Sequence, residues 1–145
     1  MKPFTLETVL SYRQRLEDIA KNNLAKARQA EESAQAQLAD QQRNYEKLVA
    51  LIDRVQREGI GISELIHHED HLTYVKNRIV AIEKDLKKKR EHVSRTRQEL
   101  LRKSRERQVM EKLKERQNSA WKQYLNKKEA AILDEIAIIF HNKHG

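Results

Sequence analysis

From Leu65 onward the chain repeats with spacings of three and four residues. The series reads Leu65, His68, Leu72, Val75, Ile79, Ile82, Leu86, Lys89, Val93, Thr96, Leu100, Lys103, Arg107, Met110, Lys114, Gln117, Trp121 and Tyr124. This is the heptad repeat of a helix that keeps one narrow stripe turned toward a partner helix. The rest of the composition agrees. Apolar residues make up 38% of the 145 and charged residues 36%, with 3 Gly, 1 Pro and 5% aromatics. A compact globule of that length needs more core-forming side chains, whereas a coiled-coil seam needs about two residues in seven. Two paired helices enclose no pocket, so the function has to be sought on surfaces and at ends.

A first helix is predicted over residues 5–58. Thr5 is a suitable N-cap, Phe4 and Val9 have the spacing of a hydrophobic staple, and Glu7 suits the first turn. Its seam reads Ala20, Leu24, Ala27, Glu31, Ala34, Leu38, Gln41, Tyr45, Leu48, Ile52 and Val55. Leu6, Val9 and Leu16 follow another phase, which predicts a stutter between Leu16 and Leu24. The alanines imply close approach of the two backbones and little buried area. The break falls at Glu58-Gly59-Ile60-Gly61-Ile62-Ser63, which holds two of the 3 glycines. Residues 59–63 are read as the turn, with Ser63 capping a second helix over 64–141. So short a connection makes the helices antiparallel. The expected fold is all-α, an antiparallel two-helix coiled-coil hairpin with a longer C-terminal helix, as a single coiled-coil domain over residues 1–145.

At 1.5 Å per residue the helices would measure ~80 Å and ~115 Å. Partners across the hairpin should carry numbers that add to about 120, so Leu6 meets the region of Lys114 and everything past about Gln117 lacks a partner on the first helix. That overhang is not polar. It carries Trp121, Leu125, Ala130, Ala131, Ile132, Leu133, Ile136, Ala137, Ile138, Ile139 and Phe140. A helix end so apolar is expected to be covered by something, either another copy of the chain, a fold-back, or a different protein.

The net charge of +8 is concentrated. Residues 84–116 hold 14 basic and 6 acidic side chains, which accounts for the whole excess. Lys88, Arg95, Arg102 and Arg105 represent the stripe. Three readings are open: a solvated face with internal pairs such as Glu99–Lys103, a site for an acidic protein, and phosphate contacts with nucleic acid. The stretch has no aromatic residue for base stacking and no zipper of basic-region type, so nucleic acid is not the expected partner. Part of the stripe falls on the seam, where Lys89, Lys103 and Lys114 are expected opposite Glu31/Glu32, Glu17/Asp18 and Glu7, in pairs that are individually weak because they stay wet.

Little here resembles chemistry. With 0 Cys there are no disulfides, thiolate metal sites or cysteine nucleophiles. His67 and His71 share a helix face in His67-His68-Glu69-Asp70-His71, but no third ligand is evident. There is no phosphate-binding glycine loop and no nucleophile elbow. No enzyme activity, metal or cofactor is expected. The start Met1-Lys2-Pro3-Phe4 lacks the apolar core of a signal peptide. No run approaches the ~18–20 apolar residues of a membrane span. The expectation is a soluble intracellular protein with no membrane insertion.

The pattern Phe4-x-Leu6-x-x-Val9-Leu10-x-x-Arg13, followed by Glu17, Ala20, Leu24 and Ala27, resembles the start of the FliJ family of flagellar type III export proteins. Gly61-Ile62-Ser63 leading into Leu65, Leu72 and Ile79, then Glu111-x-Leu113, Asp134-Glu135 and Ala137, extend the resemblance over nearly the whole chain. It implies a cytoplasmic coiled coil that acts as a stalk and general chaperone, peripheral to the membrane export apparatus and similar to the central stalk of the rotary F-type ATPases. It also implies roles in flagellum biogenesis, motility and chemotaxis. The implied partners are the hexameric export ATPase, the export gate membrane protein and substrate-specific export chaperones. On this reading the ATPase-facing end is the apolar one: Phe4, Leu6, Trp121, Leu125, Ile132, Ile136, Ile139 and Phe140. The gate contact would fall early in the second helix, at His71, Leu72 and Val75. The alternatives are a basic nucleic-acid-binding coiled coil and a homo-oligomerising structural rod.

Overall fold

The computed structural model describes residues 6–144, and the expected Thr5 cap and the Phe4 half of the staple lie outside them. Among the described residues there are two helices and no strand: α1, Glu7–Glu58, and α2, Ile62–His144. At the start of α1 the Leu6 carbonyl accepts the Leu10 N–H at 3.0 Å, and Glu7 stands in the first turn, where the helix dipole favours a carboxylate. At the other end Arg57 sits in the last turn and pairs with Asp53 at 2.8 Å.

The turn is tighter than expected. Gly59 takes φ +92°, the left-handed conformation that closes a helix C-terminus and that a side chain disfavours. The Gly61 carbonyl then accepts the Leu65 N–H at 3.0 Å. Gly61, rather than Ser63, therefore occupies the capping position, and α2 begins at Ile62, two residues before the predicted start. It also runs on to His144 rather than stopping at His141.

Contacts divide the chain into two compact units, Ala20–Leu100 and Met1–Ile19 with Leu101–Gly145. The Ala20–Leu100 unit is an antiparallel hairpin closed by the turn. Its seam is apolar and follows the predicted spacing. Ala20, Leu24, Ala27, Ala34 and Leu48 of α1 and Val75, Ile82, Leu86 and Val93 of α2 are all buried. Leu24, Ala27 and Val93 form one cluster with Leu100 packed on it. Two polar groups at or beside this seam make specific contacts. The Thr96 hydroxyl donates to the carbonyls of His92 and Val93 at 3.1 and 3.0 Å. Lys76 lies 5.8 Å above the Tyr45 ring across the pair. Lys89 does not reach Glu31 or Glu32 but lies 4.0 Å from Asp85, one turn back on α2.

In the second unit the seam turns polar. Leu10 is buried at 3% exposure, but the next positions are Arg13 and Glu17. The predicted stutter does not occur. The three-four spacing continues through Leu10, Arg13, Glu17 and Ala20, with Arg13 half-buried and the other three buried. Hydrophobicity misreported the phase because two seam positions carry charges. Those charges are paired across the helices. Arg13 donates to Glu106 at 2.9 Å, Arg107 binds Glu17 at 2.9 Å and Glu111 at 2.8 Å, and Lys114 lies 3.2 Å from Glu7. The Lys114–Glu7 pair is as expected. Glu17 binds Arg107, and Lys103 stands 3.6 Å from Glu106 on its own helix. Nor are all these pairs wet, since the Glu17 side chain is only 7% exposed. Hydrogen bonds to Glu17 first, then Glu111, raise the Arg107 pKa above the ordinary arginine value. While Glu17 and Glu111 are ionised, stabilisation from that shift is present below the arginine range and fades above it.

Two predictions follow from these contacts. Gly59→Ala should cost about 1–2 kcal/mol and Gly61→Ala, which meets no atom within 4 Å, less than about 0.5 kcal/mol, read from chemical denaturation; equal effects would contradict the turn. Arg107→Leu should cost about 1–3 kcal/mol by taking the guanidinium from buried Glu17. The double variant Glu17→Leu/Arg107→Leu should regain or exceed the original stability. Thermal unfolding by circular dichroism measures both, and a deficit persisting in the double variant would contradict the pairing.

Candidate docking surfaces

Beyond Trp121 the burial pattern stops. Trp121 is half-buried and stacks on Tyr124 with ring centroids 5.5 Å apart, and residues 122–143 are all exposed. Tyr124 is thus the first predicted seam position to fall outside the seam. The large aliphatic side chains of this segment are not scattered. At about 100° per residue, Leu125, Ile132, Ile136 and Ile139 lie within roughly 60° of one another on α2. They are 44%, 49%, 55% and 59% exposed, with Phe140 beside them. Of the predicted apolar end, Leu6, exposed, immediately precedes α1 in the same unit, and Phe4 lies outside the described residues.

The predicted basic positions are all exposed. Lys88 and Arg95 belong to the Ala20–Leu100 unit, and Arg102 and Arg105 to the other. Lys88 and Arg95, seven residues apart, share one face of α2 within the Ala20–Leu100 unit.

The residues predicted early in α2 are not one exposed patch. Val75 is 4% exposed and Leu72 half-buried, both on the seam against α1. His71 is exposed and lines a groove of about 480 Å³ with Tyr74 and, from α1, Asn44, Lys47 and Leu51. Tyr74, 63% exposed, is the aromatic group of this surface. Sequence reasoning passed over it because it precedes a seam residue rather than occupying the seam. The rings of His67 and His68 stand 6.1 Å apart. Among the described residues no three His, Asp or Glu groups gather to hold a metal ion, and no helix is long and apolar enough to cross a membrane.

Among the described residues, charged and apolar strips lie on the edges and ends of paired helices. The family model of the flagellar FliJ protein matches residues 1–145, and the chain belongs to that family. It is therefore a non-catalytic component of type III protein export. No curated protein matches the chain. A solved structure described as a YscO homologue, CT670 from Chlamydia trachomatis, shares the fold, with 21% identity, a TM-score of 0.53, and coverage of 99% of this chain and 98% of that one.

The native chain has no cysteine, which allows single thiols to report exposure. Tyr74→Cys and Leu125→Cys should react with a maleimide at least about tenfold faster than Val75→Cys, the difference between exposed and seam positions. Similar rates at all three positions would contradict the placement of Val75.

Proposed function

We propose that this chain is a stalk of the flagellar export apparatus, similar in role to the central stalk of the rotary F-type ATPases. It binds the hexameric export ATPase, links it to the export gate membrane protein, and receives substrate-specific export chaperones. The carrying observation is the exposed aliphatic strip Leu125, Ile132, Ile136 and Ile139, on a helix segment that α1 does not cover. Such a strip gains by burial in a partner, at about 25 cal/mol per Å² of apolar area removed from water. Trp121, Phe140 and Leu6 extend the ATPase-facing end, and Phe4 is assigned to it from sequence. Exposed Lys88, Arg95, Arg102 and Arg105 suit acidic loops of the ring or of a chaperone. For the gate, the burial of Val75 moves the contact outward to His71 and Tyr74, with Leu72 contributing its half-exposed side.

Ile132→Glu/Ile136→Glu should lower co-purification with the hexameric export ATPase at least about tenfold, since burying a charge in such an interface is strongly unfavourable. Deleting residues 125–145 should abolish it, with the remaining chain still helical by circular dichroism. Unchanged ATPase binding in both variants would refute the assignment. A mass in light scattering that rises with concentration and falls in the double variant would instead favour the homo-oligomerising rod, the reading the same strip supports next best.

A further inference from the structure

A second apolar strip runs along the paired part of the unit formed by Met1–Ile19 and Leu101–Gly145, away from the tail. Val9, Tyr12, Leu16 and Ile19 of α1 each stand immediately before a seam residue, as do Val109 and Leu113 of α2. Leu16 is half-buried, and the others are 37–57% exposed. These are the residues whose phase disagreed with the seam. They are flanking positions, which ordinary coiled coils fill with polar side chains. The same positions further along α1 do so, with Asn23, Lys26, Ser33 and Gln37. Thinness of the pair therefore does not explain the strip, because the polar stretch downstream is equally thin.

The two halves of the strip share one edge. In an antiparallel pair the residues just before the seam on either helix flank the same side. The groove in the other unit demonstrates this, since Asn44, Lys47 and Leu51 of α1 and His71 and Tyr74 of α2 all precede seam residues and line it together. By that geometry Val109 and Leu113 stand beside Val9–Ile19. The edge is also one-sided in charge. The one carboxylate on it, Glu106, is engaged by Arg13 at 2.9 Å. Exposed Arg116 lies on the edge, and exposed Arg15, Arg105 and Lys112 lie along its outer rim. Residues just after the seam, on the opposite edge, include Glu7, Asp18, Glu111 and Glu115.

We infer that this edge is a docking site for an amphipathic helix of a partner protein, with an apolar stripe of two residues in seven flanked by acidic side chains. The helix lies along Val9 to Ile19 for about three turns and completes a local three-helix packing, with its carboxylates against the basic rim. The tail of a second copy is a less complementary occupant, because its aliphatic strip is flanked by both signs, Lys122 and Lys128 with Glu129 and Glu135, rather than by acidic side chains alone. This site does not depend on the tail's assignment, and either can fail alone.

The test uses the full chain and two labelled 21-residue helical peptides. Both carry leucine at the heptad seam; one has Glu and the other Lys at every flanking position. Fluorescence anisotropy should show the Glu peptide binding at least tenfold more tightly than the Lys peptide. Tyr12→Glu/Ile19→Glu should weaken it at least tenfold without loss of helicity, while Ile132→Glu in the tail leaves it unchanged. Equal binding of the two peptides, binding by neither, or loss only in the tail variant would overturn the proposal. So would a dimer in light scattering that Tyr12→Glu/Ile19→Glu dissociates, since that would make the edge an interface between copies.

Discussion

Everything in this protein depends on a seam that buries about two residues in seven. Such a seam supplies modest stabilisation per turn, and among the described residues no large side chain is buried below 2% exposure. The residues that fill it, Ala20, Ala27 and Ala34 against Val and Leu, are small or medium in size. A seam this uniform says little about its own register, because sliding one helix by seven residues would still match apolar to apolar. The register has to come from elsewhere. The turn at Gly59–Gly61 sets it at one end, and the pairs Arg13–Glu106 and Arg107–Glu17 set it where the seam is polar. Ion pairs of this sort add little net stability but penalise the wrong alignment.

That arrangement also decides which charges are available to partners. Counted by sequence, residues 84–116 hold the entire excess of positive charge. Counted in the structure, Arg107 and Lys114 spend theirs on Glu17, Glu111 and Glu7, and Lys103 and Lys89 lie beside carboxylates of their own helix. What faces outward is a narrower set that includes Lys88, Arg95 and Arg105. A strip of this kind steers association and selects partners by sign, while the binding energy comes from apolar side chains nearby.

Paired helices without a cleft place function on edges and ends. The tail past Trp121, the groove at His71 and Tyr74, and the edge at Val9–Ile19 are three different surfaces on two helices. Each sits where a side chain is helical in spacing yet out of the seam.

The heptad spacing determined the two helices and the seam residues from Leu65 to Trp121, because a two-helix fold has few ways to hide a stripe, and the short connection at Gly59–Gly61 made their pairing antiparallel. It also located the uncovered tail, since that follows from counting residues on either side of the turn. Tertiary structure decided the rest. A charged seam residue looks exposed in a sequence, so Arg13 and Glu17 concealed the continuing repeat and made Val9 and Leu16 look like a change of phase. Periodicity placed Val75 on the seam, where it is buried, so the contact that the family resemblance implied there keeps only His71 and part of Leu72 at the surface, and Tyr74, just before the seam, went unnoticed. Periodicity records which residues could face inward; the partner helix, by pairing charge with charge and covering one edge rather than another, settles which of them do.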